Sequence, residues 1–164
     1  MNKLFIGREK EQRQLKEYLS SDQSEFIAVY GRRRVGKTFL IQQVIGNNYA
    51  FYVAGMNNVS MRIQLKKFRE GMRKSGEDIH TADTWLDAFI ALEDYLDSLP
   101  EGNKIVFIDE MPWMDTPRSN FISGLEHFWN LLAFWRHDIK LIVCGRSTSW
   151  LSNTSLKHPR GLHN

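Results

Sequence analysis

The sequence predicts an α/β fold built on a mostly parallel sheet. Short apolar runs rich in β-branched residues alternate with stretches of helical periodicity. Those runs are apolar at consecutive positions, as expected of strands covered on both faces. The length of 164 residues, with 42% hydrophobic and 25% charged residues, suits one soluble globular domain.

Phe26-Ile27-Ala28-Val29-Tyr30 reads as the first strand and ends at Gly31. Lys37 to Ile45 reads as a helix, with Phe39, Leu40, Val44 and Ile45 apolar, and Gly46-Asn47-Asn48 stops it. Tyr49 to Ala54 is a second strand, halted by Gly55. The next stretch, about fifty residues, has room for two helices at ~1.5 Å per residue. Val59 to Lys74 places Val59, Ile63, Phe68 and Met72 at helical spacing. Its other positions carry Arg62, Lys66, Lys67, Arg69, Arg73 and Lys74. Thr84 to Leu99 turns Trp85, Phe89, Leu92, Leu96 and Leu99 inward and Asp87, Asp94 and Asp97 outward.

Ile105-Val106-Phe107-Ile108 is the strongest strand signal, set between Pro100-Glu101-Gly102-Asn103 and Asp109. A helix follows over roughly Asn120 to Trp135, rich in Phe128, Trp129, Leu131, Leu132 and Phe134. Leu141-Ile142-Val143-Cys144, ended by Gly145, is the fourth strand.

Composition excludes several classes. No apolar run approaches the ~20 residues of a membrane-spanning helix. The first nine residues are charged too early for a signal peptide. The single cysteine, Cys144, has no partner for an internal disulfide, which points to a reducing, cytoplasmic setting. Lys and Arg outnumber Asp and Glu by 22 to 19, so a net charge of +3 is compatible with an anionic partner, which a phosphate ligand satisfies as well as DNA. The basic stretch from Arg62 to Lys74 is a candidate nucleic-acid contact, set against the plainer reading of a solvated helix face.

Gly31-Arg32-Arg33-Arg34-Val35-Gly36-Lys37-Thr38 fits the pattern G-x-x-x-x-G-K-[ST] between a strand and a helix. Glycine lets the backbone close around an anion, and successive N–H groups at a helix start point at phosphate oxygens. Lys37 would meet the β- and γ-phosphates and the Thr38 hydroxyl a Mg²⁺ ion. The expected nucleotide contacts are Gly31, Arg34, Val35, Gly36, Lys37, Thr38 and Phe39, set against the plainer reading in which Arg32, Arg33 and Arg34 only hold the loop or meet solvent. Asp109-Glu110 closes the strongest strand with two carboxylates, at the strand end where open α/β sheets bind ligands. Asp109 is the expected metal residue beside Thr38. Glu110 is the expected general base and, with Lys37, the expected catalytic pair.

These elements resemble the P-loop ATPases that carry an added strand between the phosphate-loop strand and the acidic strand, the class of AAA+ and STAND proteins. More closely, the chain resembles the archaeal-type ATPase family. The likeness rests on Phe5-Ile6-Gly7-Arg8-Glu9-Lys10-Glu11, on Gly31 to Thr38, on Phe107-Ile108-Asp109-Glu110-Met111-Pro112-Trp113, and on Cys144 to Trp150. It implies a three-layer core spanning residues 1–164, binding of ATP with Mg²⁺, and hydrolysis coupled to conformational change. It also implies that Gly7 and Arg8 border the nucleotide base, a segment that reads equally as a helix start at Glu9. Arg146, Ser147 and Thr148 become candidate γ-phosphate sensors. The chain stops at Gly161-Leu162-His163-Asn164, where the family continues into a fifth strand and a C-terminal lid. The expectation is therefore a core lacking its last strand, with a sheet edge open to another copy of the chain. The alternative function is a nucleotide-dependent switch, or a DNA- or partner-binding module, with negligible turnover.

Overall fold

The computed structural model describes residues 9–30, 36–74, 83–145 and 160–163. In chain order these form α1 (Glu9–Leu19), β1 (Glu25–Tyr30), α2 (Lys37–Ile45), β2 (Phe51–Ala54), α3 (Met61–Lys74) and α4 (Trp85–Ser98). There follow β3 (Lys104–Asp109), a 3₁₀ turn (Met111–Met114), α5 (Phe121–Trp135), β4 (Ile139–Gly145) and β5 (Arg160–His163). The five strands form one sheet in the order β2-β3-β4-β1-β5, and every pairing is parallel. β4 thus lies between the strand that leads to the Gly31–Thr38 motif and the strand that ends in Asp109.

The consecutive apolar positions of the strands are divided between two cores. Phe26, Ala28, Val106, Ile108, Leu141 and Val143 face α3, α4 and α5. Ile27, Val29, Phe107, Ile142 and Cys144 face α1 and α2. Period-two alternation with both faces buried yields three layers. Aromatic rings fill the larger core: Phe68 meets Trp85 edge-on at 5.6 Å and Phe89 at 5.3 Å, and Trp85 meets Phe121 at 4.9 Å. Such pairs contribute ~0.5–1.5 kcal/mol each beyond their burial.

α4 begins at a Thr84 cap, whose hydroxyl oxygen accepts the Asp87 N–H at 3.1 Å. On α3 the inward face differs from the expected one. Ile63 is exposed, and the buried positions are Gln64, Leu65, Phe68 and Met72. A spacing of four through 64, 68 and 72 defines that face, and Ile63 falls beside it.

The expectation of a missing last strand is overturned. Arg160–His163 pairs in parallel with Ile27–Tyr30, so the β1 edge proposed for pairing with a second copy is covered there. Four residues containing glycine and histidine carry no apolar run, and it is the register against β1 that makes this segment a strand. No helix of the described residues is long and apolar enough to cross a membrane.

At the amino ends of β3 and β4 an ionic cluster ties the layers together. Arg136, at the close of α5, donates through Nε and Nη2 to Asp138 at 2.9 and 2.8 Å and through Nη1 to Asp97 of α4. The buried Lys104 ammonium donates to the same Asp138 at 2.8 Å. The Arg136 guanidinium, chiefly, holds the Asp138 carboxyl well below the usual carboxylate range. A carboxyl lowered by folding stabilises the fold fully above its unfolded value of about 3.9, and that contribution is lost as pH falls through the folded value. Replacing Asp138→Asn is expected to cost about 1–2 kcal/mol at pH 7, screening included. In urea titrations the gap from wild type should narrow steadily below about pH 4; a gap independent of pH contradicts this role.

Candidate functional site

The carboxyl ends of β3, β4 and β1 and the start of α2 meet at one place. Gly36 takes the left-handed conformation (φ 83°, ψ 23°) immediately before α2, and its carbonyl accepts the Leu40 N–H at 2.8 Å. In that conformation the Cβ of any other residue would crowd a backbone carbonyl oxygen, which explains the second glycine of the motif. Lys37 and Thr38 are the first two residues of the helix. Lys37 is 5% exposed, and its Nζ donates to the Gly145 carbonyl at the end of β4 at 2.9 Å. Burying an ammonium requires such partners.

The Thr38 hydroxyl donates to Asp109 Oδ2 at 2.7 Å, joining residues 71 apart in sequence. The other oxygen, Oδ1, accepts the Glu110 N–H at 2.9 Å. Asp109 is 4% exposed, held at the end of β3 with its backbone carbonyl accepting the Gly55 N–H at 2.8 Å. The structure therefore brings together Lys37, Thr38 and Asp109, with Gly36 before them and Glu110 after. Phe39 lies half-buried on α2. A threonine hydroxyl beside a carboxylate is a hard-oxygen donor set, the chemistry that Mg²⁺ takes, and the residues fit that ion.

The charge of Asp109 acts on its neighbours. Burial, with Asp109 adding to it, pushes the Cys144 thiol well above its ordinary value. Cys144 is a packed strand residue that stays protonated near neutral pH. The Tyr52 phenol is pushed up to about 12, chiefly by burial and next by Asp109.

Glu110 leaves the strand in a left-handed conformation (φ 49°, ψ 41°) and opens the 3₁₀ turn. A non-glycine residue in that region carries strain of about 1–2 kcal/mol, and its surroundings must hold it there. Gly55 is one of those surroundings: a Cβ at Gly55 would overlap the Glu110 carbonyl oxygen and crowd Trp113 Cβ at 3.2 Å. The sequence marks Gly55 only as the stop of a strand. Its place opposite the acidic strand end emerges from the Ala54–Asp109 register.

Gly31, Arg34, Val35, Gly7, Arg8, Arg146, Ser147 and Thr148 lie outside the described residues. Glu9 opens α1 with Glu11 in the same first turn, as the helix-start reading expects. Of the basic residues on α3, Arg62 and Lys66 are exposed, and with Arg69 they line a cavity of about 630 Å³. No ion pair involving these three is found among the described residues.

A parallel sheet in this strand order, with a helix-start lysine and threonine facing a strand-end aspartate, defines a P-loop nucleotide-binding domain. Residues 5–162 match the family described as an ATPase domain predominantly from Archaea, and the chain belongs to that family. It is 30% identical over 161 residues to an uncharacterized protein of Methanocaldococcus jannaschii, covering 98% of this chain and 34% of that one. In fold it is similar to the Walker-type ATPase of Pyrococcus abyssi, with a TM-score of 0.60, 18% identity, and 95% of this chain and 52% of that one covered. It is also similar to the ORC2 protein of Aeropyrum pernix, solved as ADPNP–ADP complexes, with a TM-score of 0.65, 19% identity, and 95% and 47% covered. The chain thus spans about a third of the length of the curated relative and about half of each of these structures.

Gly55→Ala should push the Glu110 carbonyl out of place. Overpacking of this kind costs about 1–3 kcal/mol. A variant as stable as wild type in urea, with unchanged nucleotide chemistry, would show that the close approach has no consequence.

Proposed function

We propose that residues 1–164 form a nucleotide-binding core that hydrolyses ATP to ADP and phosphate with Mg²⁺, in a cytoplasmic setting, the cycle driving a conformational change. The hydrogen bond between Thr38 and Asp109 carries the reading, because it joins the phosphate-loop motif to the acidic strand end. Membership of an ATPase family supports it.

In this reading the Lys37 ammonium neutralises charge on the β- and γ-phosphates. Thr38 and Asp109 would hold Mg²⁺, which would supply positive charge against the phosphate oxygens. Glu110 orients a water molecule and takes its proton as the water oxygen bonds to the γ-phosphorus. The bond from that phosphorus to the β–γ bridging oxygen breaks, releasing ADP and phosphate. Arg146, Ser147 and Thr148 directly follow Gly145, whose carbonyl accepts from Lys37, and are proposed to sense the γ-phosphate. Gly31, Arg34, Val35 and Phe39 are proposed to line the nucleotide, and Gly7 and Arg8 to border its base. ATP rather than GTP follows from the family, and the sequence has no Asn-Lys-x-Asp element to read guanine.

A second reading, a nucleotide-dependent switch that contacts DNA with negligible turnover, draws on Arg62, Lys66 and Arg69 around one cavity. Phosphate release separates the two. Glu110→Gln is expected to slow release by about 10²–10⁴-fold while ADP still raises the melting temperature. Lys37→Ala should abolish that thermal shift. Wild-type release at the buffer background favours the switch, and equal release by Glu110→Gln removes Glu110 from the role of base.

A further inference from the structure

We propose that Gln64 is a positioning residue that sets the orientation of Glu110 from α3, an inference that rests on the hydrolase reading above. Gln64 is fully buried, on the same helical face as Phe68 and Met72. A buried primary amide is tolerated only where its polar atoms find partners. Here the oxygen accepts the Met56 N–H at 3.0 Å. The nitrogen donates to the Met56 carbonyl at 2.6 Å and to the Trp113 carbonyl at 3.1 Å. Each of these partners is backbone, so the side chain fixes chain path rather than another side chain.

The two segments it joins flank Glu110. One is the turn after β2, where Gly55 lies against the Glu110 carbonyl and donates its N–H to Asp109. The other is the 3₁₀ turn, where the Trp113 N–H donates to the Glu110 carbonyl at 3.2 Å. Gln64 therefore holds both walls between which Glu110 keeps its left-handed backbone. Without the amide, Met56 loses a donor and an acceptor, Trp113 loses a donor, and Glu110 is free to relax. Lys37, Thr38 and Asp109 are not among its hydrogen-bond partners, so nucleotide affinity should be spared.

The test compares Gln64→Met and Gln64→Leu, which keep the apolar bulk of α3, with Met72→Leu as a control on the same buried face. Steady-state phosphate release gives kcat and KM, and calorimetry gives the affinity for Mg·ADP. The expected result is a fall in kcat of about ten- to a hundredfold in both Gln64 variants, the scale of a small misplacement of a catalytic group. KM and Mg·ADP affinity should stay within about twofold, and Met72→Leu should keep wild-type kcat. Unchanged kcat at Gln64, or a loss of ADP affinity equal to the loss of rate, overturns the positioning role while leaving hydrolysis intact. Wild-type protein that binds Mg·ADP but releases no phosphate overturns the hydrolase reading itself, and this role with it.

Discussion

The bond from the Thr38 hydroxyl to Asp109 is where the two halves of the site become one. Neither residue reaches the other through local structure. Thr38 is placed by a helix whose start depends on Gly36 in a left-handed conformation, and Asp109 by a strand covered on both faces. For the bond to form at 2.7 Å, β1 and β3 must be held at the spacing that the intervening β4 sets. The sheet order is thus a condition of the site. The Lys37 contact with Gly145 on β4 adds a second tie across the same gap.

The division of labour along the strands follows from the same arrangement. At the amino ends, Arg136, Asp138, Lys104 and Asp97 bind the layers by charge. At the carboxyl ends, neutral and charged polar groups converge instead through directed hydrogen bonds, from Lys37 to the Gly145 carbonyl and from Thr38 to Asp109. The strain at Glu110 belongs to this end. It is sustained by Gly55, the 3₁₀ turn and the amide of Gln64, which together leave the Glu110 carbonyl little room to move.

Much of the fold was legible in the sequence, because burial on both faces writes itself as unbroken apolar runs. The helix over Lys37–Ile45 has the predicted bounds, and the strands around Val29, Val53, Phe107 and Ile142 lie within a few residues of expectation. The meeting of Lys37, Thr38 and Asp109 was legible because the glycine-rich motif and the acidic strand end both fall at the carboxyl ends of strands in one parallel sheet. What escaped was set by tertiary register. β5 has no apolar pattern of its own and exists through its pairing with β1. Gly55 becomes opposed to Glu110 only when β2 pairs with β3. Gln64 had a faint signal: a polar residue four before Phe68 and eight before Met72, on a face otherwise apolar. Ile63, an apolar residue on an exposed face, shifts the apparent apolar stripe of the helix by one position and masks that signal.

Calorimetric titration of ADP, with and without Mg²⁺, into wild type and Asp109→Asn addresses the pairing of Thr38 with Asp109 at its source. If Thr38 and Asp109 hold the metal together, Mg²⁺ tightens ADP binding to the wild type, and most of this gain disappears in the variant while metal-free affinity changes little. Equal affinity for ADP with and without Mg²⁺ in the wild type, or a full metal-dependent gain without the Asp109 carboxylate, would contradict it.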